Sequence, residues 1–143
     1  MLEAALKHSK NCDIFIGVAA VADYRPAQVS DNKIKKNSEQ LQLTLIRNPD
    51  IISAVAARPR APFMVGFAAE TDDLLRHGRD KLQRKRLQLL FANDANDTFN
   101  SDSITATALW ADGEQRLGPA SKTVVAMKML ALIHQHLHGH VER

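Results

Sequence analysis

Cysteine is almost missing from this chain: Cys12 stands alone among 143 residues, so an internal disulfide and a thiolate metal cluster are both excluded. That usage suits a reducing compartment, with the cytoplasm as the expected location and Cys12 as a small residue at a helix-strand join. Aromatics make up only 5%, too few for a base-stacking platform, so a nucleic-acid partner is not expected. No apolar run approaches the roughly twenty residues that span a bilayer, and the N-terminus lacks the apolar stretch of a signal peptide, so no membrane partner is expected either. The phosphate-loop pattern GxxxxGK followed by serine or threonine is absent. No Ser/His/Asp or Cys/His set offers a nucleophile. A nucleoside triphosphate bound here must therefore be held by lysines and strand-end amides.

What remains is ordinary globular material. With 45% hydrophobic and 24% charged residues, residues 1–143 suit a single α/β domain able to bury a real core. A formal charge of +3 favours a small anionic ligand over a nucleic-acid coat.

The organising stretch is IFIGVAAVADYRPAQVSDNKIKK, from Ile14 to Lys36. Ile14 to Val18 is a short, β-branched apolar run that predicts a parallel strand covered on both faces. Ala19, Ala20 and Ala22 then keep the strand end small, and Asp23, Tyr24 and Arg25 follow. In open α/β sheets ligands occupy the crevice beyond the carboxyl ends of strands, so this is either a ligand crevice or a tightly packed corner.

Before that strand, Leu2, Ala5 and Leu6 recur at helical spacing, so the chain opens in a helix, with no glycine before Gly17. After it, Tyr24 to Gln40 reads as a long polar loop, and Leu41 to Ile46 as a half-buried alternating strand. Asn48-Pro49-Asp50 is a turn, with Asp50 a candidate N-cap for a helix from Ile51 to Ala57. Phe63 to Ala69 predicts a second buried strand, Asp73 to Arg86 a helix with an acidic start and basic end, and Leu87 to Ala92 a third buried strand. Asn93 to Asp97 reads as a turn. Ile104 to Trp110 and Gln115 to Leu117 flank a turn at Ala111-Asp112-Gly113-Glu114, an antiparallel edge hairpin. Ser121 caps a closing helix whose apolar side is Val124, Val125, Met127, Met129, Leu130 and Ile133. The pattern as a whole predicts a three-layer, Rossmann-like, mostly parallel sheet with an antiparallel edge, incomplete at its N-terminus.

Several groups have the types and spacing for chemistry. Lys33, Lys35 and Lys36 crowd a loop, and Lys81 and Lys85 share a helical face; each set is either a solvated charge run or a grip for phosphates. Asp23, Asp50, Glu70 and Asp94 fall at element ends, where one or two carboxylates suffice for Mg2+ beside phosphate oxygens; the sequence does not say which are ligands. His134 and His138 share a helical face and suit a transition metal or simply an exposed helix end.

Taken in order, AAVADYRP, the KIKK loop, NPDI, VGFAAET, the KLxxK spacing and FANDA followed by FNSD resemble the phosphopantothenate-cysteine ligase domain of bacterial coenzyme A synthesis. The likeness covers roughly residues 14 to 135. It implies that CTP activates 4'-phosphopantothenate as an acyl-cytidylate, that L-cysteine then displaces CMP, and that Mg2+ assists. It implies that Ala19 and Ala20 line the intermediate, Asp23 contacts the nucleotide and Lys33 is catalytic. It implies too that Asn48, Pro49, Asp50, Ile51 and Phe67 border the cytidine nucleotide and that Lys81 and Lys85 bind phosphate. It further implies a homodimer, with Leu41 to Ile46 a candidate pairing edge, and fusion to or association with a flavin-dependent decarboxylase. Family members begin with a strand, a glycine-rich turn and an asparagine that have no counterpart here, so the chain is expected to be the back portion of such a domain. The alternative is a nucleotide-binding or interaction module that is catalytically incomplete.

Overall fold

The structure is a computed structural model that describes residues 1–35, 39–70, 73–94 and 103–141. Its contacts divide the chain into two compact units, Met1–Val18 with Ile51–Arg143, and Ala19–Asp50.

The larger unit holds α1 (Leu2–His8), a short 3-10 turn (Ser9–Asn11), β1 (Ile14–Gly17), α2 (Ile51–Ala56), β4 (Phe63–Glu70), α3 (Leu74–Arg84), β5 (Leu89–Asp94), β6 (Ser103–Trp110), β7 (Gly113–Ser121) and α4 (Lys122–Val141). The smaller unit holds β2 (Tyr24–Pro26) and β3 (Leu45–Arg47). The five strands of the larger unit lie in the order β1-β4-β5-β6-β7; β1, β4 and β5 are parallel, and β6 and β7 are antiparallel additions.

The alternation of β4 explains the layers. Phe63 and Val65 point to one face, where with Leu89, Phe91 and Leu117 they pack against Val125, Leu132 and Ile133 of α4. Met64 and Ala68 point to the other and meet Val55 of α2, Leu82 of α3 and, at its margin, Leu6 of α1. β1, β4 and β5 advance in one direction across the sheet, so crossovers of one hand must put α2 and α3 on one face, where they are found. This is the expected three-layer α/β fold with a mainly parallel sheet. Gly78 lies in the middle of α3 and is buried because a Cβ there would collide with Leu109 of β6, so the helix tolerates its weak propensity in exchange for close packing. Ser121 caps α4 as expected, its hydroxyl accepting the Val124 N–H at 3.4 Å.

Some local expectations change. β1 is covered only in part: Ile14 and Phe15 pack at the margins of the clusters on opposite faces, but β1 ends the five-stranded order and Ile16 is 41% exposed. The loop from Tyr24 contains β2, and the strand expected at Leu41 to Ile46 is the short, exposed β3. A two-stranded ribbon has no second layer of its own to cover it. β5 begins two residues late and runs through Asn93 and Asp94, so these are strand and not turn; Ala95 to Asp97 lie outside the described residues. β7 is far longer than Gln115 to Leu117. In α4, Val124, Met127 and Leu130 are exposed, because only the side carrying Val125, Met129, Leu132 and Ile133 meets the sheet. No described helix is long and apolar enough to cross a membrane.

Candidate functional site

Within the smaller unit, one side chain joins two of the motifs. The β2–β3 ladder sets Tyr24 opposite Arg47, which brings Asn48 beside Asp23. The Asn48 N–H donates to the Asp23 carbonyl at 2.7 Å, its Nδ2 donates to the Ala22 carbonyl at 2.7 Å, and its Oδ1 accepts from Arg25 Nη1 at 2.8 Å. The Asn48-Pro49-Asp50 turn is thereby tied to the AAVADYRP segment, with its Ala19, Ala20 and Asp23. Arg25, which follows Asp23 and Tyr24 at the strand end, is thereby part of this junction.

The same unit carries Lys33 and Lys35, both exposed; Lys36 lies outside the described residues. Ser30 organises the approach to Lys33 by donating to the Asn32 carbonyl at 2.7 Å and accepting the Asn32 N–H at 3.3 Å. Pro26, Val29, Ile34, Leu43 and Thr44 line a cavity of about 580 Å³ in this unit.

In the larger unit, the carboxyl ends of β4 and β5 coincide, with Ala69 facing Asn93 and Glu70 facing Asp94 in register. Two carboxylate-bearing positions therefore adjoin at the edge where an α/β sheet takes its ligand. Mg2+ needs only one or two carboxylates when phosphates supply the rest. Among the described residues no group of three or more His, Cys, Asp or Glu side chains converges as a metal site.

Phe67 sits three residues before the end of β4, with its ring 5.3 Å from that of Phe91, so it is packed toward the α4 face. Ile51 opens α2. Lys81 lies in the last turn of α3 and Lys85 caps it, both half-buried. Because α3 starts where β4 ends, its eleven residues carry Lys85 about 16 Å back toward the amino ends of the strands. Just beyond, Gln88 bonds Met64 near the start of β4 through both its N–H and its Oε1. Lys81 and Lys85 thus share a helix face but are not brought to the Glu70–Asp94 edge.

The start of α3 is electrostatically defined. Asp73 adopts a left-handed φ of 41° and makes a 2.5 Å ion pair with Arg76, whose hydrogen bond holds the Asp73 carboxyl below the usual carboxylate range. Arg79 reaches Glu114 of β7 at 2.6 Å. Nearby, Leu74, Ala92, Thr105, Thr107, Glu114 and Arg116 line a cavity of about 360 Å³ beside the carboxyl half of β5. In the sequence these residues are marked only by the alternation of Thr105 and Thr107 in β6.

Comparison with known proteins bears on the fold and the family. The Vibrio vulnificus coenzyme A biosynthesis bifunctional protein CoaBC is 44% identical over 98% of this chain, and its Escherichia coli counterpart 42% identical over 90%. The chain spans about a third of the length of these relatives, 36% and 34% respectively. The crystal structure of the C-terminal domain of CoaBC superposes with a TM-score of 0.77 at 30% identity, covering 96% of this chain and 61% of that one. The sequence profile of the DNA/pantothenate metabolism flavoprotein C-terminal domain matches residues 1–137, nearly the whole sheet and its helices. With motif order, sheet topology and profile in agreement, the chain belongs to that C-terminal domain family.

Proposed function

We propose that this chain is the back portion of a cytoplasmic, CTP-dependent ligase that joins 4'-phosphopantothenate to L-cysteine in coenzyme A synthesis. The observation that carries this reading is the Asn48 junction, since it unites two motifs to which the resemblance assigns the nucleotide. In the first step the phosphopantothenate carboxylate attacks the α-phosphorus of CTP, forming the acyl-cytidylate and releasing pyrophosphate. In the second the cysteine amine attacks the acyl carbon, the amide forms and CMP leaves.

Both reactants of the first step are anionic, so a mobile ammonium is the useful group, and Lys33 supplies it from an exposed loop. Asp23 and the Asn48-Pro49-Asp50 turn border the nucleotide, and Ala19 and Ala20 leave space for the acyl chain. Lys81 and Lys85 carry the resemblance's phosphate role. Mg2+ would neutralise phosphate charge. The exposed Leu41, Leu43 and Leu45 suit a pairing surface with a second copy. The resemblance implies a decarboxylase partner, fused or associated, and the bifunctional character of the relatives supports that reading.

A calorimetric titration of the chain with CTP and with ATP, each with Mg2+, tests the nucleotide assignment. Tighter binding of CTP is expected; equal or tighter binding of ATP would overturn it.

A further inference from the structure

The closing helix carries histidines at 134, 136, 138 and 140, and the fold sets His136 apart from His134 and His138. His136 turns toward the sheet, where its ring centroid lies 4.7 Å from that of Trp110. His134 and His138 are exposed, one helical turn apart, with ring centroids 4.4 Å from each other in an edge-to-face arrangement. We infer that His134 and His138 form a two-imidazole binding site for a first-row transition metal ion, Cu2+, Ni2+ or Zn2+, on the outer face of α4.

The reach is right. Nitrogen donors bind such ions at about 2.0 to 2.1 Å, so two on one ion stand about 3 Å apart. Rings already in contact attain that separation by turning about the Cβ–Cγ bond, where the torsional wells are broad. Neighbouring positions on a helix surface four residues apart put the two Cβ atoms about 5 to 6 Å from each other, close enough for one ion to bridge the rings.

The donor set also selects. Lys122–Val141 contains no aspartate or glutamate, so the helix offers imidazole and no carboxylate. Imidazole suits copper, nickel and zinc, with Cu2+ the tightest, whereas Mg2+ prefers oxygen. Saturating Mg2+ therefore does not compete. Two protein donors leave the other coordination positions to water or to a donor on another molecule.

The competing explanation is that two exposed rings touch at a helix end with no ligand in view. Titrating the untagged chain with CuCl2, NiCl2 and ZnCl2 in the presence of excess Mg2+ separates the two. Calorimetry should show one principal equivalent per chain, and paramagnetic Cu2+ or Ni2+ should broaden the ring signals of His134 and His138 before those of His8 and His77. His134→Ala and His138→Ala should each weaken binding at least tenfold, and the pair together should remove it. Alanine keeps the helix intact, which circular dichroism checks. A metal-dependent rise in the thermal midpoint should vanish in the double variant. Binding that survives the double substitution, or that is lost instead in His140→Ala, would overturn the assignment.

Discussion

Phe63, Met64 and Val65 of β4 are each at most 6% exposed, whereas Leu45 and Ile46 of β3 are 53% and 39% exposed, although both are apolar strand segments. β4 has a hydrogen-bonded neighbour on each side and helices over both faces. β3 has one neighbour, β2, and its unit is held chiefly by main-chain pairing and the bonds of Asn48. The larger unit is a scaffold stabilised by burial; the smaller is a polar arrangement with little apolar interior. Local opening should be far easier in the smaller unit, which is where binding loops are commonly drawn from.

The contrast is broken most severely from the scaffold side. Phe91 is 1% exposed, packed between Phe67 and the α4 face. Phe91→Ala should cost about 3 to 5 kcal/mol, read as a lowered denaturant midpoint. Gly78→Val should follow at about 1 to 3 kcal/mol, because its side chain would meet Leu109. An unchanged midpoint for it would mean that α3 and β6 are not in close contact.

Asn48→Ala sharpens the comparison. It removes two side-chain bonds within the smaller unit, at about 1 to 2 kcal/mol in total. Hydrogen exchange should quicken at Asn48 and at Ala27, whose N–H pairs with Thr44, while β4 and β5 keep their protection. Faster exchange throughout both units would show that the Asn48 bonds support the scaffold as well.

Lys33→Ala separates stability from chemistry. As an exposed loop substitution it should change stability by less than about 0.5 kcal/mol. In an active ligase that contains this chain, loss of one such electrostatic contact should slow the proposed acyl-cytidylate formation by about 10²- to 10³-fold, measured in single turnover without cysteine. Replacing Lys81 and Lys85 together should weaken CTP more than cytidine if they hold phosphate.

The smallest effect concerns Asp73. Its folded pKa lies below the unfolded value of 3.8, so its contribution is present above that pH and is lost as pH falls through the depressed value. The ion pair is exposed, so the change should be slight and should shrink further in salt. Arg76→Ala should raise the Asp73 pKa in a carboxylate NMR titration; no upward movement would remove Arg76 as the cause.

Much of this was written locally. The apolar runs at Phe63 to Ala69 and Leu87 to Ala92 determined two buried parallel strands, Ser121 the start of α4, and Asp112-Gly113 the hairpin. Each depends on side chains a few residues apart. The same sequence also determined the family, through motifs whose order needs no coordinates. What only the tertiary structure decided depends on residues distant in the chain. Which side of α4 is buried follows from where the sheet stops, so Val124, Met127 and Leu130 read as core and stand exposed. That Asn48 grips Ala22 and Arg25 depends on β2 and β3 pairing across nearly twenty intervening residues. That Lys81 and Lys85 lie away from the Glu70–Asp94 edge follows from the length and direction of α3, because periodicity fixes the face of a helix but not which end of the sheet that face adjoins.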